Sequence, residues 1–129
     1  MLDLNPDTVC HIIDKAHEFQ VKEGVSIPEP PNSPSDDWAM QVLADHEDDL
    51  TYQELVGVID ELEPDQQVQL VALMWLGRGD FEVDNWSSAV EAAGEAWTAR
   101  TAQYLIATPM LADYLAEGLD LMGLSCDLK

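Results

Sequence analysis

Positive charge is what this sequence has least of. Five lysines and arginines stand against 26 aspartates and glutamates in 129 residues, a formal net charge of −21 at pH 7. Such a surface repels phosphate backbones and anionic bilayers, so direct binding to nucleic acid or membrane is not expected. Long apolar runs are missing as well. The longest, around Val71 to Leu76, falls far short of the roughly 20 residues that cross a bilayer. Cysteine is scarce, with Cys10 and Cys126 near opposite ends. One bridge between them is open to the chain, but two cysteines make no disulfide framework, and free thiols in a cytoplasmic setting are expected. Alternating β-branched runs are absent, which argues against a sheet. The opening Met1-Leu2-Asp3-Leu4-Asn5-Pro6 carries neither a basic nor a long apolar segment. No export signal is expected from it, and the chain reads as cytoplasmic.

Signatures of catalysis are also lacking. There is no nucleophile elbow, no phosphate-cradling glycine loop and no HExxH pair, and His11 and His17 are six apart rather than four. The chain reads as a non-enzyme. A small enzyme remains a further alternative that a pocket joining His11 or His46 to carboxylates would favour.

What is present points to helices. An apolar content of 47% over 129 residues suits one domain spanning residues 1–129. Asn5-Pro6-Asp7 is a helix start, and Val9, Ile12, Ile13, Ala16 and Phe19 make an apolar stripe over residues 6–23. Residues 24–35, with "SIPEPPNSP" from Ser26 to Pro34, read as a Pro-rich arm. A helical core over 36–124 follows, beginning with a short helix around Trp38 and Val42. A charged loop, Asp45-His46-Glu47-Asp48-Asp49, comes next, and reads as a solvated turn rather than a metal site. Thr51-Tyr52-Gln53-Glu54 has the spacing of a capping box, opening a helix with Leu55, Val58, Ile59 and Leu62 inward. Pro64 starts a helix that is apolar almost all round to Leu76 and so is central and buried. Asp84 or Asn85 is expected to cap one long helix through Trp86, Val90, Ala93, Trp97, Thr101, Tyr104 and Leu105. Thr108-Pro109 opens a last helix, which Gly123 stops. The expected fold is all-α, a compact bundle of about six helices around one buried helix.

Several of these stretches carry a resemblance. "LVALMWLGRGD", a downstream tryptophan and "RTAQYLIATPMLADYLAEGL" resemble a family of small acidic bacterial proteins known as domain of unknown function 3775. The resemblance covers roughly Trp38 to Leu124. It implies a helical bacterial protein and brings no activity, ligand or catalytic residue.

Three functional readings follow. Arg78-Gly79-Asp80 spells an adhesion tripeptide, but without export it reads as a glycine stop with an arginine placed to pair with acids. The leading reading is a protein–protein interaction or regulatory module with a basic partner. Arg78, Trp86, Trp97 and Tyr104 are its candidate contacts. Small residues at Ala89, Ala92, Ala93 and Ala96 suit a close helix approach and a homodimer. The alternative is a calcium-type module over residues 80–91. Asp80, Glu82, Asp84 and Glu91 fall on positions 1, 3, 5 and 12 of an EF-hand loop. Against it, Asn85 replaces the turn glycine and a helix beginning near Asp84 would consume the loop. Beyond that divalent cation no cofactor is expected.

Overall fold

Asn5 begins the first helix as its sequence suggests. Its side chain accepts from the Asp7 N–H at 2.9 Å and its carbonyl from Thr8 and Val9. Helix α1 runs Pro6–Glu23 in the computed structural model, which describes residues 4–23, 49–108, 110–124 and 126. The Pro-rich arm, the short helix expected around Trp38 and His46 lie outside the described residues. Val9, Ile12, Ile13, Ala16 and Phe19 are all buried along one face of α1. Burying a large apolar side chain contributes about 1.5–3 kcal/mol, so this stripe is what docks the helix.

Among the described residues there are six helices and no strand: α1, α2 (Leu50–Glu61), α3 (Pro64–Arg78), α4 (Trp86–Ala96), α5 (Thr101–Ala107) and α6 (Leu111–Leu121). A single 3-10 turn, Val83–Asn85, leads into α4. The all-α class is as expected, and α3 is the central helix. It packs against α4, α5 and most extensively α6, while α1 covers α2 and α6. Leu70 to Leu76 are buried without interruption. Pro64 occupies the first helical position, and Gln66 reaches back to accept from the Glu63 N–H at 3.2 Å.

α3 and α6 meet almost backbone to backbone. A Cβ on Gly77 would collide with the Tyr114 carbonyl oxygen, and one on Gly118 would lie 2.5 Å from the Leu73 carbonyl oxygen. Each glycine is therefore a packing residue inside its helix. The stop is Gly79, with φ 97°. The Asp80 N–H donates to the Trp75 carbonyl and the Gly79 N–H to that of Leu76, the Schellman pattern. Gly123, φ 81°, ends α6 the same way, with Leu124 donating to Leu119 and Gly123 to Asp120.

Four expectations need correction. α2 is capped by Asp49, whose carboxylate accepts from the Tyr52 N–H at 3.0 Å. The Thr51–Glu54 box does not form. Thr51 is buried, and Glu54 is held by Lys15 of α1 at 2.8 Å, a partner invisible to local spacing. Asn85 stands at the start of α4 but makes no side-chain capping bond. The long helix expected from Trp86 to Leu105 is two helices. The chain leaves α4 at Trp97 in extended geometry. The Thr98 hydroxyl then accepts from the Arg100 N–H at 3.0 Å, and the Thr101 hydroxyl donates to the Thr98 carbonyl at 2.7 Å. Threonines that bond nearby backbone compete with helix continuation. A straight helix would also carry Tyr104 about 12 Å beyond Ala96, whereas the bend folds it back onto Trp75.

The last correction is the cysteine pair. Cys10 and Cys126 form a disulfide, with Cα atoms 5.5 Å apart and a sequence separation of 116. Packing α1 along α6 brings the chain beyond α6 to the second turn of α1, a proximity that sequence distance hides.

Candidate interaction groove

The end of α3 organises a distinctive surface among the described residues. After the glycine stop the chain turns back, so that Phe81 stacks on Trp75 with ring centroids 6.1 Å apart and planes inclined 23°. The Trp75 indole donates to the Tyr104 hydroxyl at 2.8 Å in the interior. Arg78 folds towards the same turn. Its Nε and Nη2 both donate to one oxygen of Asp80, at 2.8 and 2.6 Å. Burial opposes the Arg78 cation, but the Asp80 carboxylate and the Tyr104 hydroxyl outweigh it and raise the pKa. Burial likewise raises the Tyr104 pKa, against the lowering effect of Trp75 and Arg78.

A groove of about 430 Å³ opens beside this turn, between the end of α3, the 3-10 turn and the outer face of α6. Leu76, Phe81, Val83 and Leu121 supply its apolar surface, and Glu82, Asp84 and Glu117 its charge. Val83 is 40% exposed and Leu121 44%. Two large aliphatic side chains thus stay in water beside three carboxylates, while the Arg78 cation is engaged by Asp80.

The predicted site residues divide accordingly. Glu82 and Asp84 line the groove; Asp80 binds Arg78; Glu91 lies on α4, away from the groove lining. Among the described residues no three of His, Cys, Asp and Glu gather to hold a metal ion. The 3-10 turn takes up residues 83–85, and α4 from Trp86 occupies the second half of the supposed loop. Of the candidate contacts, Tyr104 is 1% exposed and belongs to the core. Trp86 packs partly buried against that core. Trp97 is 37% exposed, with its indole donating to Gln67 Oε1 at 2.7 Å. Ala89 and Ala93 are buried within the chain, on the helix that packs against α3.

Sequence reasoning missed Gln67. It is buried, and its amide nitrogen donates to the Ile59 and Leu62 carbonyls at 2.9 and 3.3 Å while its oxygen takes the Trp97 indole. One side chain thereby satisfies the end of α2 and ties it to the end of α4. Gln67 stands in Gln66-Gln67-Val68-Gln69, ahead of the apolar run, and nothing local marks it out from its neighbours. A second groove of about 430 Å³ lies between α1 and α2 and is lined by Asp7, Thr8, His11, Val58, Glu61 and Leu62. His11 thus sits among carboxylates, but among the described residues no hydrogen bond or ion pair joins it to either.

These features define a class: an acidic helical domain, built around a buried central helix, with an acid-rimmed apolar groove at that helix's C-terminal end. The model of a family described as protein of unknown function (DUF3775) matches residues 52–124, and the chain belongs to that family. The match runs from α2 through α6 and leaves α1 outside it. No curated protein and no solved structure matches the chain. No described helix is long and apolar enough to cross a membrane.

Proposed function

We propose that this protein is an interaction module that takes a basic, amphipathic segment of a partner protein into the groove beside Phe81. The observation that carries this reading is the pairing of exposed Val83 and Leu121 with Glu82, Asp84 and Glu117. Apolar side chains give such a contact its affinity, and the acids select for lysine or arginine and speed encounter. A net charge of −21 adds long-range attraction for the same partner. The calcium-type alternative has no gathered ligand set behind it. The enzyme alternative has a groove at His11, where among the described residues no hydrogen bond or ion pair joins the imidazole to Asp7 or Glu61.

The test uses the full chain, isotopically labelled, and two synthetic peptides of equal charge. One places leucine at intervals of three and four residues among lysines to form an amphipathic helix; the other carries glutamine in place of leucine. The amphipathic peptide is expected to shift the resonances of Phe81, Val83, Glu117 and Leu121. Leu121→Lys combined with Glu117→Lys is expected to weaken it by roughly tenfold or more, as truncated interface anchors do. Equal binding of both peptides, with shifts spread over the acidic surface, would sink the proposal. Light scattering on the free chain addresses the competing occupant, a second copy. A homodimer that buries Leu121 would replace the basic partner in this reading. The cytoplasmic placement read from composition meets the Cys10–Cys126 bond here, because structural disulfides are rare in a reducing compartment.

A further inference from the structure

We propose that the Cys10–Cys126 pair is a thiol–disulfide exchange site that controls how firmly α1 is docked on the family domain. Three observations converge. First, α1 lies outside the stretch that matches the family, residues 52–124, and Cys126 lies just beyond its other end. The bond therefore joins an added helix to the tail of the family domain. Second, that helix is held to the domain by contacts along its length. They are the apolar stripe of Val9, Ile12 and Phe19, the Lys15–Glu54 pair at 2.8 Å, the His17–Asp113 pair at 3.5 Å and the Phe19–Tyr52 ring contact at 5.9 Å. Third, the two cysteine residues differ in exposure. Cys10 is 3% exposed, whereas Cys126 is only partly buried.

That asymmetry gives the exchange a direction. A thiolate of an external dithiol attacks Cys126 Sγ; the bond to Cys10 breaks, and Cys10 leaves as a thiolate that takes up a proton. The second thiol of the reagent then attacks the mixed disulfide and releases Cys126 as a thiol. Two electrons and two protons pass from the dithiol to the chain, and the dithiol becomes a disulfide. While the bond is intact, α1 is tethered at both of its ends. After reduction it is tethered only through the chain that leads to α2. Losing one tether lowers the effective concentration of α1 at its docking face, and α1 then opens more often as a unit.

The experiment follows amide hydrogen exchange on the full chain, oxidised by oxidised glutathione and then reduced by dithiothreitol. Cysteine alkylation and intact mass report the redox state. On reduction, amides of α1 within residues 8–19 are expected to exchange about tenfold faster or more, while those of α3 change by about twofold or less. Cys10→Ser with Cys126→Ser should show the reduced profile with or without reductant. Equal acceleration in α1 and α3 would make the bond a global staple and overturn the proposal. So would two freely alkylated cysteines that oxidised glutathione cannot join, or a reductant effect that persists in the serine variant. The comparison is made on the unmutated chain, so it stands even where the variant folds poorly.

Discussion

Trp75 and Tyr104 meet through one hydrogen bond that neither helix could satisfy alone. The indole N–H is buried in α3, and its acceptor is a hydroxyl 29 positions further along the chain. Tyr104→Phe removes the acceptor and leaves the donor stranded, which costs about 1–3 kcal/mol. A lowered denaturant midpoint at pH 7 would show it. The same residue sets a pH dependence. Burial raises the folded-state pKa of Tyr104 above its ordinary value of 10.0. The unfolded chain therefore ionises first, and the stabilisation, complete below pH 10, is lost as pH rises towards the folded value. Denaturant midpoints measured between pH 8 and pH 11 should fall above pH 10, less so in Tyr104→Phe. Gln67 works by the same logic, since its two carbonyl partners and the Trp97 indole would all lose a bond in Gln67→Leu.

At the scale of elements, the contact of α3 with α6 decides the architecture. Gly77 and Gly118 let the two backbones approach where any side chain would intrude. Gly77→Ala places a methyl group against the Tyr114 carbonyl, which is backbone and cannot swing aside. The helix propensity of alanine would favour the exchange by about 1 kcal/mol. The steric clash is expected to exceed this, giving a net loss of about 1–3 kcal/mol, the usual penalty of overpacking. Thermal unfolding that shows a stabilised Gly77→Ala would refute the close approach. Gly79→Ala is a separate case. Space around it is open, and its penalty comes from the left-handed φ of 97°.

Across the whole molecule, charge works against compactness. With −21 formal charges, the folded state gathers carboxylates that the unfolded chain holds further apart. Sodium chloride should raise the melting temperature as screening shortens towards about 10 Å near 0.1 M. Calcium chloride at matched ionic strength should add no separate step at low concentration, because no ligand set is gathered among the described residues. A saturable rise at micromolar calcium would revive the cation reading.

Much of the fold was legible because its signals are local. Asn5, Pro64, Gly79 and Gly123 mark helix ends through their own backbone preferences, and the stripe from Val9 to Phe19 and the apolar run to Leu76 announce buried faces by spacing alone. Arg78 pairs with Asp80, two residues away, for the same reason. What the sequence could not carry were choices between partners far apart in the chain. Glu54 had a capping role by spacing and took Lys15 instead. Tyr104 looked like part of a continuous surface seam until Trp75 and the Thr98–Thr101 turn folded it inward. Asp80, Glu82, Asp84 and Glu91 had the order of a calcium loop without its convergence. The sequence by itself determined an acidic, all-helical chain with one buried central helix, because periodicity and capping act within a few residues. Only the tertiary structure decided the break after α4, the Cys10–Cys126 bond and the acid-rimmed groove, because each depends on which distant helix packs alongside.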